Sequence, residues 1–155
     1  MMSMLTSSPA GVDHTTLVPF HHAFPVDDLD AACTFYGTVL GCPPGRSQTA
    51  TARSFRFFGH DLIAQLADGE VADAQRGAVG MANMAVRHIG VVLVRPVWDQ
   101  VWERLRAADV NALWGPEYRR VGKPSEEALV LVADPFGNVI ELKGFNDDRY
   151  LFELA

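Results

Sequence analysis

A pattern of elements occurs twice in this chain of 155 residues, and that repetition restricts the fold more than any other feature. His21-His22-Ala23-Phe24-Pro25-Val26 is answered by His88-Ile89-Gly90-Val91-Val92-Leu93, which begins 67 residues later. Phe58-Gly59-His60 before the apolar run 62–66 is answered by Phe136-Gly137-Asn138 before the run 139–142. Each copy reads as a strand, a helix and then two or three strands, which makes the fold class α+β. Such a unit is too small to bury both faces of its own sheet. Two of them must pack together, within one chain or exchanged between chains.

Local signals place the elements. Asp27-Asp28 suits a helix N-terminus, Leu29, Ala32, Cys33, Tyr36, Val39 and Leu40 recur at helical spacing, and Gly41 is a stop. Pro43-Pro44-Gly45 reads as a loop, 54–58 as a strand, Gly59-His60-Asp61 as a turn and 62–66 as the hairpin return. In the second copy, 86–94 is a β-branched strand and Pro96 opens a helix. That helix turns Val97, Val101, Leu105 and Ala108 inward, with Trp98 and Trp102 on an adjoining stripe. Strands are expected at 110–118, interrupted by Gly115-Pro116, at 126–133 and at 139–143, with a basic loop at 119–125 and a turn at 134–138. The organisation is then a loosely ordered lead-in over 1–18 and a single domain over 19–155. That domain divides into module one at about 19–67, a connection at about 68–85, module two at about 86–144 and a tail at 145–155.

Composition narrows the function classes. Hydrophobic residues make up 48% of the chain against a net charge of −6, which is too apolar and too weakly charged for disorder. A pI near 5.2 provides no positive field for nucleic acid or for an anionic membrane surface. Cys33 and Cys42 are too few for a disulfide scaffold, and their spacing fits no zinc motif. The first 18 residues lack Lys, Arg and an apolar core, and no run of about 18 apolar residues exists. The expectation is a cytoplasmic globular protein acting on a small molecule.

Three residues stand out chemically. His21 and His88 open the first strand of each copy, and Glu141 sits in the last strand between Ile140 and Leu142. Strand alternation puts His88, Gly90 and Val92 on one face, and likewise His21, Ala23 and Pro25, so small neighbours leave room beside each imidazole. A carboxylate in an apolar strand must be exposed, paired or bound to a metal. Two imidazoles and one carboxylate would make a divalent-metal site with open positions, a set that suits Fe(II) and also admits Mn, Ni, Co or Zn. The plain alternative is two satisfied core histidines and an edge-strand glutamate.

The stretch 21–41 resembles the opening of the vicinal-oxygen-chelate superfamily, which includes glyoxalases, extradiol dioxygenases, epimerases, fosfomycin-resistance enzymes and bleomycin-resistance proteins. Asp134-Pro135-Phe136-Gly137-Asn138-Val139-Ile140-Glu141 is similar to its DP-x-GN-x-x-E ending. Segments 19–26, 57–60 and 116–126 resemble, more narrowly, small bacterial proteins described as extradiol-type dioxygenases. The resemblance implies two tandem βαβββ modules whose mixed sheets curl around a metal cleft, with His21, His88 and Glu141 as ligands. It places a fourth ligand position at or near Gln65, where glyoxalases carry Glu, so Gln65 is a ligand, a substrate contact or a spectator. A homodimer is the implied assembly.

The resemblance also implies that the metal chelates two neighbouring substrate oxygens as a Lewis acid. Tyr118 and His60 are the acid/base candidates, and Arg119 leads the cationic group that could hold an anionic substrate. Packing and solvation are the competing roles for all three. The dioxygenase reading has two rivals: an isomerase, epimerase or lyase on the same site, and a sequestering protein that does no chemistry.

Overall fold

A computed structural model describes residues 18–67, 88–147 and 149. The connection and most of the tail expected from sequence lie outside the described residues, as does the lead-in except Val18. The order is β1 (His21–Val26), α1 (Leu29–Ala32) continuing as a π-helical segment (Cys33–Val39), β2 (Pro44–Gln48), β3 (Ala52–Phe57), β4 (His60–Leu66), β5 (Ile89–Val94), α2 (Arg95–Ala107), β6 (Ala112–Arg119), β7 (Glu127–Ala133) and β8 (Val139–Phe145). Two four-stranded mixed sheets result, ordered β1-β4-β3-β2 and β5-β8-β7-β6, so the duplication read from sequence is a duplication of topology. In each, the first strand runs parallel to the fourth and the other pairings are antiparallel.

Four local expectations change. Residues 44–48 form an edge strand rather than a loop, a place where a proline is tolerated because its missing N–H faces away from the ladder. The first hairpin turns on two residues, Phe58 (φ 49°) and Gly59 (φ 94°), the left-handed geometry of a tight hairpin. His60 and Asp61 therefore belong to β4. The first helix begins with the Asp28 carboxylate accepting from the Asp30 and Ala31 N–H groups, then widens to a π register in which Leu40 N–H bonds Phe35 C=O. In that register Phe35 and Tyr36 are both buried. In α2 the inward face is Trp98, Val101 and Leu105, so Trp98 is central rather than peripheral, and its indole N–H bonds Leu142 C=O at 2.9 Å.

One continuous core joins the modules. Phe24, Val26, Phe55, Phe57 and Leu62 of the first sheet share it with Val91, Leu93, Val130, Val132, Ile140 and Leu142 of the second, with both helical segments between. Polar contacts lock the junction. Tyr36 O–H donates to the Asp134 carboxylate at 2.8 Å, Asn138 Nδ2 donates to Pro25 C=O at 3.3 Å, and Arg104 donates to Thr38 C=O at 3.1 Å. The faces that carry His21 and His88 lie outside this core. Cys33 and Cys42 are free thiols, and burial pushes Cys42 up to about 12.

Candidate metal centre

Each module presents a histidine–carboxylate pair. In module two, Gly90 of β5 stands opposite Glu141 of β8, and His88, two residues earlier, projects on the same side. His88 Nε2 and Glu141 Oε2 are 3.0 Å apart, with only 10% of the glutamate side chain exposed. The two groups are at hydrogen-bond distance, and donors about 2.1 Å from one ion at right angles to each other also lie about 3 Å apart, so the separation is compatible with two ligands of a single ion. Gly90 lies beside this carboxylate: a Cβ there would be in ordinary contact with Glu141 Oε2, at 3.6 Å. Lys143 Nζ stands 3.9 Å from the other carboxylate oxygen.

In module one, β1 and β4 set His21 directly opposite Asp61, and Nδ1 lies 2.9 Å from Asp61 Oδ2. An ionised carboxylate only accepts, so Nδ1 carries the proton and Nε2 keeps the lone pair a metal needs. This pair is about half exposed. Among the described residues, no three His, Cys, Asp or Glu side chains lie close enough together to hold a metal. His88 and Glu141 are thus brought together, and His21 stands apart with Asp61. Asp61 was not singled out in the sequence. The signal was there in the register that follows once the hairpin turns at Phe58-Gly59.

The register also aligns β4 of module one with β8 of module two. Ala23 pairs with Ile63 just as Gly90 pairs with Glu141, so Ile63 is the module-one counterpart of Glu141. Gln65 corresponds to Lys143, opposite Pro25, and lines a shallow cavity with Ala23, Phe24, Pro25 and Leu66. The aligned glycines Gly59 and Gly137 carried this information in the sequence.

Alternation separates Tyr118 from Arg119. Arg119 pairs with Glu127 and shares the Glu141 face, whereas Tyr118 pairs with Ala128 on the α2 face. There Tyr118 meets Trp98 edge-on, with ring centroids 6.1 Å apart, and lies 5.1 Å from the Arg95 guanidinium. The strand that brings Arg119 to the pair therefore turns Tyr118 away from it. Arg119 bonds Glu117 at 2.6 Å and lies over Trp114. The bond to Glu117 holds its guanidinium above the ordinary range, partial burial opposes this, and Glu117, Glu127 and Glu141 add attraction. His60 stacks on Phe20 with ring centroids 4.1 Å apart and accepts the Phe20 N–H at Nδ1. Partial burial lowers its pKa.

The turn at 134–138 has a structural function. Asp134 accepts from the Phe136 and Asn138 N–H groups, from Asn138 Nδ2 and from Tyr36 O–H. Burial raises its pKa, and those four bonds oppose the rise.

The fold agrees with comparisons to known proteins. The family model described as "Glyoxalase/Bleomycin resistance protein/Dioxygenase superfamily" matches residues 11–142. A glyoxalase/bleomycin resistance protein/dioxygenase from Alicyclobacillus acidocaldarius is 27% identical, with a TM-score of 0.64 over 87% of this chain and 96% of that one. The fosfomycin resistance protein FosX of Listeria monocytogenes is 18% identical, with a TM-score of 0.60 over 84% and 94% of the two chains. Lactoylglutathione lyase from Agrobacterium tumefaciens is 22% identical, with a TM-score of 0.56 over 96% and 100%. The latter two are similar in fold. No curated protein matches the chain in sequence. Among the described residues no helix is long and apolar enough to cross a membrane. The family match covers most of the chain, and the duplicated sheets and paired modules agree with it: the chain belongs to the glyoxalase/bleomycin resistance protein/dioxygenase superfamily.

Proposed function

We propose that the chain is a divalent-metal enzyme of extradiol-dioxygenase type, cytoplasmic and dimeric, in which His88 and Glu141 of one copy and His21 of a second copy hold the ion. The observation that supports this most is the His88–Glu141 pair, spaced as two ligands of one ion could be. The unused Nε2 of His21, aligned by Asp61 on an exposed face, is the natural third donor. Isoleucine at the counterpart of Glu141 leaves three protein ligands, which favours the dioxygenase over a glyoxalase-type lyase. Fe(II) suits such a set.

When bound, the ion supplies Lewis acidity toward two adjacent substrate oxygens and an open coordination position. The residues of the chain do the rest. Leu131, Val139 and Trp114 pack together as an apolar cluster on the Glu141 face. Arg119, held by Glu117, presents positive charge on the Glu141 face to a phenolate substrate. His60 and Tyr118 alternate with Asp61 and Arg119 and so take the opposite sheet faces, where His60 stacks on Phe20 and Tyr118 packs on Trp98.

Protein purified without oxygen should carry one divalent ion per site and consume O2 with a catechol, and His88→Ala should lose both metal and uptake. Equal metal in wild type and variant would remove the proposed site. Bound metal with no uptake on any catechol would remove the dioxygenase assignment.

A further inference from the structure

The face that carries His21 also carries cations that the metal site does not use. Arg56 of β3 stands directly opposite Asp61, which stands opposite His21, so the three form a row across neighbouring strands. Strands lie about 4.8 Å apart, which puts Arg56 roughly 10 Å from His21 at the backbone. Arg46 of β2 joins Arg56, His60 and Asp61 in lining a cavity of about 530 Å³. A second cavity of about 420 Å³, lined by Arg46, Gln48, Ser54, Asp61 and Ile63, continues it along the sheet.

Charge bookkeeping distinguishes this pair. Arg119 is answered by Glu117, and Lys143 faces Glu141. Among the described residues no ion pair or side-chain hydrogen bond engages Arg46 or Arg56, and the one carboxylate in the cavity, Asp61, accepts from His21. Two guanidiniums facing one cavity repel each other until an oxyanion lies between them, and their planar forks match its geometry.

We infer that Arg46 and Arg56 form a subsite for the oxyanion of a small substrate, a carboxylate, phosphate or phosphonate, whose vicinal oxygens lie toward His21. The placement of those oxygens rests on the metal site proposed above; the anion subsite itself does not. The substrate class becomes an aromatic or enolic compound with an anionic substituent.

Calorimetry on the metal-free full chain at low salt, with benzoate, phenylphosphonate and neutral benzyl alcohol as probes, tests this directly. Wild type should bind at least one anion, and whichever binds identifies the headgroup. Affinity for it should fall at least tenfold in the Arg46→Ala/Arg56→Ala variant and in part recover in Arg46→Lys/Arg56→Lys. Benzyl alcohol should not distinguish the three proteins. Anion affinity that survives the double alanine change, or no preference of wild type for anion over alcohol, would overturn the subsite. Metal uptake by the same proteins after anaerobic reconstitution with Fe(II) separates the two ideas. Intact metal in the alanine variant places the loss in the subsite, while a wild type that binds anion but no metal retains the subsite and loses the metal assignment.

Discussion

At the scale of single residues, Asp61 and Asp134 show how one residue type serves opposite ends. Asp134 is spent on structure: its carboxylate is saturated by the turn it caps and by Tyr36 from the other module. The motif that identifies the family from sequence is therefore a clamp, which is why it specifies the fold and says little about the reaction. Asp61 instead fixes the tautomer of an exposed imidazole. Asp61→Asn should lower metal affinity by about 10–100-fold, the usual effect of losing a carboxylate behind a metal-bound histidine. Its urea midpoint should stay at the wild-type value, because an exposed pair of this kind contributes little to stability. Competition with a chromophoric chelator under anaerobic conditions measures the first, and a denaturation curve the second. His21, His88 and Glu141 were legible as candidates because small or apolar neighbours framed them. Asp61 was not, since its role depends on which residue of β1 it faces.

At the scale of elements, alternation and turn length decide which side chains reach the cleft. The two-residue turn at Phe58-Gly59 shifts every later residue of β4 from the expectation of a longer turn, and that shift carries Ile63 to the counterpart of Glu141. In β6 the same rule gives Arg119 to the site face and Tyr118 to α2. A one-residue change of register would exchange them. Helix α2 seats on its sheet through Trp98, and Gly144 of β8 makes room for it: a Cβ there would lie 2.6 Å from Trp98 Cγ. Gly144→Ala should destabilise the fold by about 1–3 kcal/mol through overpacking. Urea unfolding monitored by tryptophan fluorescence would record it. A midpoint equal to wild type would mean that Trp98 can move aside without cost.

At the scale of the whole molecule, the shared core decides which sheet faces are left outside it. Packing the helix-bearing sides of both modules together buries their apolar residues and leaves the His21 face and the His88–Glu141 face outside it. On the proposed reading, the third ligand comes from a second copy, arranged so that each module meets its complement. Mixing His21→Ala chains with Glu141→Ala chains after exchange should yield heterodimers that each contain one intact site. About a quarter of wild-type metal would return at equal mixing if subunits pair at random. No recovery above the separate variants, checked by metal analysis of the mixed dimer peak, would rule out a site shared in this way. The repeat, the helical and strand periods and the family signature are local or periodic properties, so the amino-acid sequence by itself determined two modules, their element order and the three candidate ligands. Strand register, the face each side chain takes and the separation of His21 from its proposed co-ligands depend on contacts between residues 40 or more positions apart, and those only the tertiary structure decided. Hydrophobic burial is what enforced them, because each module had one face to hide and the other module to hide it against.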